Sequence, residues 1–233
     1  MLEDSKQRSY WRRRIQRHLI LALVSGILML LIFHTLPSTR NVVFRLSMAS
    51  AYAGLTFLGL SLIIGPWNVL QDRPNPISTD LRRDVGIWAG LLGLVHMIVG
   101  LQVHMGGKFW LYFLYPPNQS HFLPLRHDAF GFANFMGLVA TLILILLLSL
   151  SNDFSLRALG VKRWKALQRW NYVGFAGTVV HGAVYQFIEE RKLFFVGLFG
   201  GMVLMVIISQ LAGFQKIRRQ LDQGNRIGKT LNQ

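Results

Sequence analysis

WKALQRWNYVGFAGTVVHGAVYQF, residues 164–187, decides how this chain is read. It begins basic and aromatic, then becomes an apolar run with one imidazole, His181, well inside it. The whole chain shares that character. Its 233 residues are 52% hydrophobic and 15% charged, with a mean hydropathy of +0.37, too apolar for an ordinary soluble domain. Six apolar runs approach the ~20 residues a helix needs to span a bilayer: 19–36, 46–67, 84–103, 129–150, 170–188 and 194–214. They occupy over half the chain and leave no room for a separate soluble domain. The pattern predicts an all-α integral membrane bundle of six transmembrane helices. This core, residues 19–214, lies between a basic N-terminal segment, 1–18, and a basic tail, 215–233.

Charge sets the predicted orientation. The formal net charge is +15. With the N-terminus inside and alternating spans, nineteen of the 25 Lys and Arg fall on inner segments (1–18, 71–84, 152–169 and 215–233). The outer six are Arg40, Arg45, Lys108, Arg126, Arg191 and Lys192. That asymmetry follows the positive-inside rule, and an even number of spans puts both termini in the cytoplasm. It also argues against nucleic acid as the partner, because the basic face meets anionic lipid head groups instead. Trp11, Trp67, Trp88 and Trp170 fall near the inner boundary and Trp110 near the outer one, as in aromatic belts. No convincing cleavage site follows the first run, so it reads as a retained helix rather than a signal peptide. The absence of cysteine excludes disulfides, thiolate chemistry and iron–sulfur ligation by this chain.

Seven histidines occur. His18, His34, His104, His121 and His127 fall at helix ends or in loops and read as interfacial or solvated groups. His96 and His181 fall inside spans, where ionisable side chains are costly and mark functional positions. The third and fifth spans run in the same direction, and each histidine lies 12 residues past the inner charged boundary, at Asp84 and Arg169. At 1.5 Å per residue both sit ~18 Å deep. Ala89, Gly93 and Gly100 share a helix face with His96; Gly174, Gly177 and Thr178 share one with His181. Two imidazoles at one depth in small-residue grooves suit a flat porphyrin with axial histidines. The plainer alternative is close helix packing, with each histidine hydrogen-bonding across. A site of histidines plus carboxylates is disfavoured, because Asp84, Asp128, Glu189 and Glu190 sit at span ends.

At these residues the chain resembles a known family. LRRDVGIWAGLLGLVHM (81–97) and LGVKRWKALQRWNYVGFAGTVVHG (159–182) are similar to the ferric reductase-like transmembrane domain. The nearer likeness is to its short bacterial branch, the MsrQ/YedZ-type haem-binding membrane subunits of periplasmic methionine sulfoxide reductase systems. The matching positions are Arg82, Arg83, Gly86 and His96, then Leu159, Gly160, Trp164, Lys165, Leu167, Arg169, Tyr172 and His181. The resemblance implies a b-type haem held by His96 and His181, in a multi-pass protein of the bacterial inner membrane. One departure stands out: Gln168 occupies a position where the family has a histidine associated with a second, inner haem. Glutamine is a poor ligand for haem iron, so that second haem is in doubt. His104, eight residues past His96, is a further candidate ligand with no evident partner.

Larger members of the family carry flavin and nicotinamide domains, but here only about 19 residues follow Phe214. No dinucleotide-binding glycine motif follows a strand. The expected function is therefore electron transfer across or within the bilayer, an oxidoreductase subunit's role. A separate donor, a quinol or a flavoprotein, would supply the electrons, and an outer acceptor or partner reductase would take them. Arg82 and Arg83 are candidates for anchoring haem propionates or a flavin phosphate, against the plainer reading that they mark a cytoplasmic helix end. The alternative function is a haem-free assembly or interaction subunit that keeps the fold.

Overall fold

The computed structural model describes residues 2–73 and 80–231, with side chains described for 9–73 and 81–223. Seven α-helices run α1 (Leu2–Thr35), α2 (Val42–Leu70), α3 (Asp80–Gly100), α4 (Ala129–Ser149), α5 (Asp153–Gln168), α6 (Trp170–Ile188) and α7 (Leu193–Leu231). There is no strand among the described residues; one isolated bridge, Leu114 to Leu125, folds the long loop between α3 and α4. The chain is an all-α bundle, as expected.

Local chemistry sets the helix ends. The Asn41 side chain accepts from Val43 N–H at the start of α2, Asp128 from Gly131 N–H at α4, and Asn152 from Ser155 N–H at α5. Such short polar side chains satisfy donors that the first helical turn leaves unpaired. In α5 the helix is interrupted at Gly160, whose φ of 70° lies in the left-handed region; a Cβ would strain that conformation, and glycine has none.

Five helices hold stretches long and apolar enough to cross a membrane: 9–35, 42–70, 81–100, 129–149 and 193–223. The expected fifth span, α6, is not among them. Its 19 residues include Asn171, Thr178, His181 and Gln186, and these dilute its apolar character. The terminal segments also differ from the simple expectation. The basic N-terminal segment, from Leu2, continues into the first span as one helix, and α7 runs on to Leu231. At 34 residues α1 is ~51 Å long, well beyond the ~30 Å of a hydrocarbon core, so its first turns stand clear of the bilayer.

The most buried of the spans is α2, and it packs against α1, α3, α6 and α7. Two clusters anchor it. One gathers Phe44, Met48, Ala49 and Tyr52 with Ile32 and Phe195; the other joins Ala53, Phe57 and Leu58 to Val85, Ala89 and Leu92. Most α2 hydroxyls bond their own helix: Ser50 donates to Leu46 O, Thr56 to Tyr52 O and Ser61 to Leu58 O. On the other side of the bundle α4 lies along α6 and also touches α3.

Ion pairs sort the helix ends into two faces. On one, buried Asp84 faces Arg14, Arg17 and His18 of α1; Arg83 pairs with Asp153 at the start of α5; Lys216 of α7 pairs with Asp72 at the end of α2. On the other, Arg40 and Arg191 both lie over the Phe44 ring, and His104 pairs with Glu189. The first grouping joins segments expected on the inner side and the second joins segments expected on the outer side.

Candidate functional site

Between α2, α3, α4 and α6 lies a cavity of about 420 Å³, within the usual range of ligand pockets. His96 and His181 both line it. Their ring centres are 6.1 Å apart with planes inclined at 71°. Each ring is aimed by its neighbours. The Nδ1 of His96 lies 3.0 Å from Ser47 O, with Ser47 Oγ at 3.4 Å. The Nδ1 of His181 lies 2.8 Å from Ala133 O. A carbonyl only accepts, so Nδ1 carries the proton in both rings and Nε2 is the unprotonated nitrogen. That arrangement, an Nδ1–H held by main chain and a free Nε2, is how metal-binding histidines are oriented.

The small-residue grooves divide. Ala89, Gly93 and Gly100 line the cavity beside His96, as the third-span pattern predicts. Of the three expected on α6, Thr178 does so, and Gly182, next to His181, lines it as well. Gly174 packs against Ile143 and Gly177 against Ala140, so those two glycines serve helix contact. The glycine that makes room for His181 is Gly137 on α4: a Cβ there would come within 2.6 Å of the His181 Nδ1. Neither Gly137 nor the orienting carbonyls of Ser47 and Ala133 was a sequence candidate. A main-chain acceptor has no side-chain signature, and the small-residue run SMASAYAG, 47–54, was the available hint for α2.

Other candidates lie elsewhere. Arg82 and Arg83 do not line this cavity. Arg83 is bonded to Asp153 at 2.5 Å, and Arg82 packs over Gly65; the pair marks a helix end. Gln168 closes α5 outside the cavity, its Nε2 buried without a hydrogen-bond partner. His104 lines the cavity's outer end, but its Nε2 is held by Glu189 Oε1 at 2.8 Å. That bond, the largest influence on the Glu189 carboxyl, holds it below its ordinary range. His18 accepts from Trp88 Nε1 and pairs with Asp84. His121 stacks on Tyr115 in the outer loop, with His127 edge-on to both. His34 is exposed beside Phe33.

No cluster of three or more His, Cys, Asp or Glu able to hold a metal ion occurs among the described residues. The donor set is two imidazoles, which leaves a bare ion undercoordinated but is complete for a metal whose equatorial positions a macrocycle already fills. With ring centres 6.1 Å apart, the two imidazoles are close enough to hold one such group between them. The walls are mostly apolar, with Leu55, Leu58, Met97, Leu138 and Leu144 among them. The residues present therefore suit a haem. Comparison of the chain with protein-family models, with characterised proteins and with solved structures finds no significant match.

Proposed function

We propose that this chain is a b-type haem membrane protein that transfers electrons. The observation that carries the reading is the His96–His181 pair: two rings facing each other across one cavity, each fixed through Nδ1 to a main-chain carbonyl of a neighbouring helix. The haem, when bound, would supply a one-electron couple. The protein's residues do the rest. His96 and His181 would hold it through their Nε2 atoms, Ser47 and Ala133 fix the ring orientations, and the leucine walls exclude water. Two imidazole ligands would suit electron transfer rather than oxygen binding. In this reading the protein sits in a bacterial plasma membrane. It receives electrons from a quinol or flavoprotein and delivers them to an outer acceptor or partner reductase.

One observation favours a second reading, a haem-free assembly or interaction subunit: Gln168 stands at a position where the resembling family has a ligand, and it lies apart from the cavity. One experiment separates the two. The protein is purified in detergent, and an oxidised-minus-reduced visible spectrum is recorded with the haem-to-protein ratio. Electron transfer requires a low-spin b-type spectrum at about one haem per chain, lost in His96→Ala and His181→Ala proteins that still insert. Absence of haem, even after reconstitution, sinks it.

A further inference from the structure

The outer end of the cavity carries a positive charge that forms no ion pair among the described residues. Among the described residues that line it, Arg191 is the sole permanently charged side chain; no aspartate, glutamate or lysine joins it. Arg191 leads from α6 into α7 and is half-buried. Its guanidinium lies 5.0 Å from the centre of the Phe44 ring, and Arg40 lies 5.1 Å from the same ring. Among the described residues no carboxylate pairs with Arg191; Glu189, two residues before it, is bonded to His104. Burial is the largest influence on the Arg191 guanidinium and pushes it below its ordinary range, with Glu189 acting in the opposite sense. Beside it, Gln186 donates to the Tyr52 hydroxyl through Nε2 and leaves its Oε1 buried without a partner.

A partly buried cation with no carboxylate bonded to it is costly unless something anionic joins it. An apolar cavity with two imidazoles inside and one such arginine at its rim describes its occupant: flat, apolar, metal-bearing and carboxylated at one edge. We propose that Arg191 is the anchor for the carboxylate edge of the cavity's ligand, which fixes that edge toward the face bearing Glu189 and away from Arg82 and Arg83. The assignment rests on the haem reading above. Arg191 acts by charge-assisted hydrogen bonding to the carboxylate, and Arg40, across Phe44, adds to the positive potential there.

The test compares two probes, haemin and haemin dimethyl ester, which share the iron and macrocycle but differ in the carboxylates. Full-length protein in detergent, stripped of bound haem, is titrated with each, and the Soret shift gives both affinities. Wild type should prefer the free acid, and the preference ratio should fall about tenfold in Arg191→Gln, the equivalent of one charge-assisted hydrogen bond. Arg191→Lys should keep an intermediate preference. Because the probe comparison is made within each protein, a general loss of affinity in one variant does not imitate the effect. A wild type that binds haemin and its ester equally well, or a ratio unchanged in Arg191→Gln, overturns the anchor and leaves the axial pair standing. A wild type that binds neither probe overturns both.

Discussion

Asp84, fully buried at the start of α3, faces the Arg17 guanidinium of α1 at 3.1 Å, with Arg14 at 3.6 Å and His18 at 3.4 Å on the same carboxylate. Trp88, one turn along α3, donates to His18 and extends the contact. Since α1 is otherwise mostly exposed along its apolar length, this cluster is its principal polar attachment to the bundle. Removing one partner of a buried charge cluster leaves the others uncompensated. Asp84→Asn should therefore lower stability by about 3 kcal/mol, read as thermal unfolding in detergent. Since the amide keeps the shape and loses the charge, a loss below about 1 kcal/mol would mean the cluster is solvated and inert.

Gly137 tests the aiming of His181 without touching either imidazole. A methyl group at this position overlaps the ring, so Gly137→Ala should push His181 off the Ala133 carbonyl. The expected result is weakened haem binding and a perturbed low-spin spectrum, with the protein still folded. Gly86→Ala is the control, because a Cβ there meets nothing within 4 Å. Equal behaviour of the two variants would show that the ring position is not set by α4.

The pairing of His104 with Glu189 makes an acid-dependent prediction. The hydrogen bond from His104 is the largest influence on Glu189 and depresses its folded pKa below the ordinary value of 4.5. A depressed carboxyl contributes stability above its unfolded pKa and loses it as pH falls through the folded value. Asp153, held down chiefly by Arg83, and Asp128, held down chiefly by Arg126, act in the same sense. Thermal stability should therefore decline as pH drops from about 5 toward 3, and Glu189→Gln should flatten that decline. An acid limb identical in the variant would assign it to the other two carboxylates.

Much of the fold was readable because the bilayer reduces folding to length and polarity. Five of the six expected spans meet that criterion. The sixth, α6, is less legible for the reason that makes it interesting: its polar residues serve the bundle interior and dilute the apolar signal. The α5 helix was read only as a charged connection, because its residues lie along the inner face. At the site, equal depth along parallel helices foretold that His96 and His181 would meet. What aims them was hidden. Carbonyls of Ser47 and Ala133 are invisible in a one-letter code, and Gly137 matters through α4–α6 register, which only the assembled bundle defines.

Gln168 offers a sharp test of haem number. It lies outside the cavity at the end of α5, and the further ligand candidate, His104, lines the cavity and is bonded to Glu189. Gln168→His should leave the ratio at about one haem per chain, since one imidazole does not complete a bis-histidine site. A rise to two would reveal a second ligand already waiting on the inner side.

The self-bonded hydroxyls of α2 bear on how the protein is made. During synthesis the second hydrophobic segment enters lipid before α3, α4 or α6 exists to receive it, and unpaired polar groups are penalised there. Ser50, Thr56 and Ser61 return their protons to their own helix and so need no partner when α2 enters lipid, whereas Tyr52 finds its acceptor, Phe195 O, only once α7 has docked.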